Sequence, residues 1–113
     1  MDVMDFEDHL PNRLDATTMT VGIARLTLRL PGNTSLKGKR KVVKSVIEKV
    51  RHKFRISVAE IGAQDKLQRA VFAMAVVGND SRTINSVLDR AIDFVESMNV
   101  AELVEDEIDL FAL

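Results

Sequence analysis

Along this chain the apolar period switches between two and 3.6 and back again, and this limits its fold more than any other feature. Over residues 20–30, Ala24, Leu26, Leu28 and Leu30 point one way while Arg25, Thr27 and Arg29 point the other. That is the pattern of a strand with one wet face. Pro31-Gly32-Asn33 ends the run, and Ser35 is placed to cap the next element. Leu36, Val43, Val46, Ile47, Val50 and Phe54 recur at helical spacing, which predicts an amphipathic helix over 36–54. Residues 56–61 read as a short strand, 62–68 as a polar loop, and 69–77 as the near-continuous apolar run of a central strand. Gly78-Asn79-Asp80 breaks that run and caps a second helix, striped by Ile84, Val87, Leu88, Ala91, Ile92, Val95 and Met98. Residues 100–110 form the last predicted strand, with Val104, Ile108 and Leu110 on one face.

The order is β-α-β-β-α-β. Two βα units joined by a hairpin most simply give an α+β, ferredoxin-like sandwich: a four-stranded antiparallel sheet with both helices on one face. The usual strand order, 4-1-3-2, sets the last strand beside the first. Glu105, Glu107 and Asp109 are then expected opposite Arg25 and Arg29 on the open face, as mutually paired, solvated charges. Residues 20–113 are read as one domain. Residues 1–19 carry five acids against Arg13 and have no regular period, so they are read as an acidic, flexible arm. With no basic start and no long apolar run, the arm is not a signal peptide.

Composition narrows the chemistry. The chain has no cysteine, which excludes a disulfide framework, a thiol nucleophile and a thiolate metal site, and suits the cytoplasm. No segment is apolar enough to span a membrane, so no membrane partner is expected. His9 and His52 lack the spacing of a metal site, and no nucleophile sits on an evident strained turn. No catalytic residue, metal ligand or cofactor is expected. Gly32 to Arg40 approaches a phosphate-binding loop, but five residues separate the glycines and Arg40 replaces the metal-holding hydroxyl. Nucleotide hydrolysis is rejected. Base stacking on the sheet is not expected either, because Phe54 and Phe94 fall on helix stripes and Phe72 in the core.

The formal net charge of −1 hides a strong separation. Between Lys37 and Arg55 nine Lys and Arg face one acid, Glu48, a local +8. Six acids and no base lie between Glu96 and Asp109, and from Thr20 onward the domain is +3. Lys37, Lys41, Lys44, Arg51 and Arg55 form one helical stripe, the footprint expected of a nucleic-acid-binding surface. Charge runs are usually just solvated helix faces, but Lys37, Lys39, Arg40 and Lys41 crowd the first turn or so of the helix. There the helix dipole disfavours cations by roughly 0.3–1 kcal/mol each. A bound phosphate would relieve that conflict. The expected phosphate-binding set is therefore Ser35, Lys37, Lys39, Arg40, Lys41, Lys44, Arg51 and Arg55. The topology brings the hairpin residues Gln64, Asp65, Gln68 and Arg69 to the same end, where they form either an adjoining contact set or a plain polar loop.

With these residues assembled, the chain resembles the YlxP-like family, a small bacterial domain of unknown function. The matching stretches are Val21-Gly22-Ile23, Leu30-Pro31-Gly32, Ser35-Leu36-Lys37, Lys39-Arg40 and Val42-Val43-Lys44-Ser45. Further on come Ser57-Val58-Ala59-Glu60, Gln64-Asp65, Gln68-Arg69-Ala70 and Ala75-Val76-Val77. At Gly38 the family more often carries a charged residue. The resemblance implies a ferredoxin-like fold, a cytoplasmic protein and a genomic neighbourhood of translation and ribosome-maturation factors, including ribosome-binding factor A. It implies no cofactor and no catalytic residue.

The leading expectation is a non-enzymatic accessory protein that binds RNA or a ribosomal particle through the basic helix. The alternative is an interaction module. One form resembles the ACT domains, with the 31–36 turn holding an anionic metabolite. The other is a homodimer formed through the open sheet face or the apolar tail 110–113.

Overall fold

The computed structural model describes residues 18–113. Nearly all of the expected acidic arm lies outside the described residues.

Strand β1 (Thr20–Arg29) buries Ala24, Leu26 and Leu28 and leaves Arg25 and Arg29 in water, as its alternation requires. Helix α1 (Leu36–Phe54) comes next, capped by Ser35, and ends where Arg55 takes a left-handed conformation at φ 56°. Strands β2 (Ser57–Gly62) and β3 (Arg69–Gly78) make the hairpin. Asp80 accepts from the Arg82 backbone N–H and starts helix α2 (Ser81–Ser97), which is followed by strand β4 (Glu102–Ala112).

The sheet order is β2-β3-β1-β4, all antiparallel, with both helices against one face. This is the ferredoxin-like arrangement. The core between the layers is built on Leu26, Leu28 and Phe72 from the sheet with Val46, Val50 and Leu88 from the helices. Gly22 lets α2 come close to β1: an added Cβ would overlap Ile84 Cγ2 and press on Leu88. The helices also meet through Phe54 and Phe94, edge to face at 5.6 Å, with the Lys53 ammonium 4.6 Å from the Phe94 centroid.

Strand β4 differs from the expected alternation. Its pairing with β1 shifts between Thr27 and Leu28, so Glu105 lies opposite Thr27 but Leu103, not Val104, lies opposite Leu28. The extra residue turns Val104 out to 51% exposure, while Leu103 packs on the core. The same shift decides the ion pairs. Arg25 meets Glu107 at 3.4 Å as expected, but Arg29 meets Glu102 at 2.7 Å rather than one of the three acids beyond the bulge.

Candidate nucleic-acid interface

The start of α1 is built by short polar residues. The Ser35 hydroxyl accepts from the Gly38 backbone N–H at 3.0 Å, and its carbonyl accepts from the Lys39 N–H at 3.1 Å. The Asn33 amide donates to the carbonyls of Ser35 (2.9 Å) and Leu67 (2.6 Å), which ties the β1–α1 turn to the β2–β3 hairpin. Gln68 completes the latch: its side chain donates to the Asn33 carbonyl at 3.2 Å, and its own carbonyl accepts from the Leu30 N–H at 2.9 Å. Gly38 leaves room for this arrangement, because a Cβ there would meet the Asn33 Oδ1 and Ser35 hydroxyl ends and make the Asn33 side chain move. A charged side chain at this position would have to displace the latch.

Around this latch the expected residues divide. Lys37, Arg40, Lys41 and Lys44 are exposed on α1, whose first turn contains no acid. Lys44 Nζ lies 3.9 Å from Glu48 one turn on, a solvated pair of little strength. Gln64 shares a groove with Arg40 and Lys44, while Gln68 and Arg69 line a shallow depression with Asn33, Thr34 and Lys66. The topological expectation thus holds for the hairpin: its Gln64 and Arg69 ends flank the helix start. Asp65 is exposed in the same loop.

Three cations of the expected set are placed differently. Lys39 is 2% exposed; its ammonium donates to the Ala63 carbonyl and lies 3.4 Å from Glu60 Oε2. It therefore cannot reach an external phosphate. The physical reason is its helical position: Lys39 precedes Val43, Val46 and Val50 by four, seven and eleven residues, which puts it on the apolar stripe. Arg51 donates to the Val58 carbonyl at 3.0 Å and so braces α1 against β2. Arg55, past the helix end, lines a groove over the open sheet face together with Arg51, Arg25 and Asp109. The continuous stripe read from the helical wheel is thus an exposed cluster of four at the N-terminal half, with two arginines turned toward the β2 edge.

Asn33, Glu60 and Lys66 were not among the expected residues. An Asn two residues ahead of a Ser cap is a recognisable turn-former. Glu60 carried a signal too, because it falls at an inward position of β2, alternating with Val58. Among the described residues no group of three or more His, Asp or Glu is placed to hold a metal ion, and no helix is long and apolar enough to cross a membrane.

Residues 21–108 match the family described as "Protein of unknown function (DUF503)". The chain belongs to that family. The uncharacterized protein YlxP of Bacillus subtilis (strain 168) is 35% identical over 77 residues, covering 68% of this chain and 84% of the relative. The YlxP-like resemblance read from the motifs therefore stands. Among solved structures, a dimeric protein of unknown function and ferredoxin-like fold from Bacteroides fragilis aligns with 84% of this chain and 96% of its own, at 11% identity and a TM-score of 0.48. SnoaB, a cofactor-independent oxygenase from Streptomyces nogalater, aligns with 82% of this chain and 90% of its own, at 16% identity and a TM-score of 0.45.

Proposed function

We propose that this DUF503 protein is a cytoplasmic, non-enzymatic accessory factor that binds the phosphate backbone of structured RNA, in free form or within a ribosomal particle. The observation that carries the reading is the exposed cluster of Lys37, Arg40, Lys41 and Lys44 on α1, in a helix whose first turn holds no acid. Four exposed cations within eight residues repel one another, and Lys37 in the first turn also opposes the helix dipole. A polyanion along this face removes both penalties. Gln64, in the groove with Arg40 and Lys44, and Arg69, next to the latched Gln68, supply neighbouring contacts and orient the bound strand.

Counterion release gives the test. Binding of the full-length protein to a structured RNA is measured by filter retention or fluorescence anisotropy across a salt series. The expected result is a linear fall of log affinity with log salt, each neutralised phosphate adding about 0.7–0.9 to the slope. A salt-insensitive affinity, or an affinity unchanged when Lys37, Arg40 and Lys44 are all replaced by Glu, overturns the reading.

A further inference from the structure

The face of the sheet turned away from the helices carries an apolar surface with opposite charges at its two rims. From the centre outward, Ala73 and Ala75 of β3 are flanked by Ala59 and Ile61 of β2 and by Ile23 of β1. Ile61 is 48% exposed and Ile23 39%, and Val77 and Phe111 extend the surface at one end with 68% and 50% exposure. Among the described residues nothing covers it.

The pairing registers place the rims. Asp109, Ile23, Ala75 and Ser57 lie in one row across the sheet, and Glu107, Arg25, Ala73 and Ala59 lie in the next. At the β4 end of these rows stand two acids. At the β2 end, two residues before Ser57, stands Arg55, and both ends line the same groove over the sheet. Glu107 is already shared with Arg25, but neither Asp109 nor Arg55 has an ion-pair partner among the described residues.

We infer that a second copy of this chain covers the open face, related by a twofold axis lying in the interface and parallel to the strands. Such an axis exchanges left and right across the sheet while keeping the level along the strands. Each β4 then lies over the partner's β2 edge, and Asp109 and Arg55 of opposite copies come together twice. A twofold axis across the strands would instead set β4 on β4 and bring Asp109 and Glu107 against their own copies. Charge complementarity selects the first arrangement, and two sheets so aligned pack about 10 Å apart. With strands about 4.8 Å apart rising about 3.3 Å per residue, the footprint is roughly 600 Å² per copy. On the order of 1,200 Å² in total meets the lower bound of a specific interface. The inference does not rest on RNA binding, and its test contains no RNA.

Sedimentation of the full-length protein from about 1 to about 100 µM, a range that brackets the affinity of a small interface, gives the first readout. The expected result is a dimer that Ala75→Glu dissociates, weakening association at least roughly tenfold by burying an unpaired charge. Circular dichroism checks the fold, and Ile61→Glu, at an exposed position, serves if Ala75→Glu does not fold. The second readout fixes the axis. Arg55→Glu and Asp109→Arg each weaken self-association, and mixing the two variants restores a heterodimer in which both rim contacts are again opposite in sign. A monomer at the highest concentration, or a dimer indifferent to the apolar substitutions, overturns the inference. Loss without rescue on mixing overturns the strand-parallel arrangement.

Discussion

The Lys39 ammonium lies 3.4 Å from Glu60 Oε2 beneath the first turns of α1, in a molecule whose other α1 lysines are exposed. The carboxylate side chain is only 19% exposed, and that oxygen has no hydrogen-bond partner among the described residues. Charge attraction therefore carries the compensation for burying both groups, helped by the bond from Lys39 to the Ala63 carbonyl. The pair joins α1 to β2 and to the start of the hairpin that flanks the proposed interface.

Breaking this pair from one side should be costly and replacing it whole should not. Lys39→Met or Glu60→Leu alone is expected to destabilise by roughly 3 kcal/mol, because each leaves the other, largely buried charge without its partner. Lys39→Met combined with Glu60→Leu is expected to recover most of that loss. Urea unfolding of the four proteins measures the coupling. If the single losses add in the double variant, the pair is not coupled.

The salt slope should separate the cations of α1 by their placement. Replacing any one of Lys37, Arg40, Lys41 or Lys44 by Ala is expected to lower the slope by about one, in proportion to one lost phosphate contact. Lys53→Ala is the internal control, since its ammonium sits over Phe94 on another side of the helix. An equal effect of Lys53→Ala would move the interface away from the N-terminal cluster.

Gly22 should tolerate no side chain. An added methyl meets Ile84 and Leu88, which belong to the buried core, so α2 must shift from β1. Gly22→Ala is expected to cost about 1–3 kcal/mol by overpacking, read as a fall in thermal midpoint. An unchanged midpoint would mean that α2 yields freely.

The Asn33 latch should be measurable apart from the core. Asn33→Ala removes two side-chain bonds to carbonyls on different segments and is expected to cost about 1 kcal/mol. Amide exchange is expected to quicken in residues 63–68 while the centre of β3 keeps its protection. Uniform loss of protection would show that the turn and hairpin do not open independently.

Most of this architecture is legible in the one-dimensional pattern, because strong periodicity and clear breaks coincide. The bounds of α1 follow from Ser35 and the last stripe residue Phe54, and the strand order follows from handed connections. What the pattern hides is local. The bulge opposite Thr27 and Leu28 adds a residue that no alternation count reveals, so Val104 exchanges roles with Leu103 and Arg29 finds Glu102. At the proposed interface, counting charges groups Lys39 with its neighbours, although its spacing to Val43, Val46 and Val50 puts it on the buried side. Chemistry suggested a contact there; geometry made it a brace.

The separation of charge across the width of the sheet has a kinetic consequence. Cationic α1 packs over β2, whereas the acids of β4 stand along the opposite edge. A single protomer so divided has a dipole across the strands and turns in the field of a distant polyanion before the two surfaces touch, whereas the strand-parallel twofold dimer cancels that component. The protomer's rotational search is shortened, and the first collision is biased toward the helix side with the acidic edge trailing.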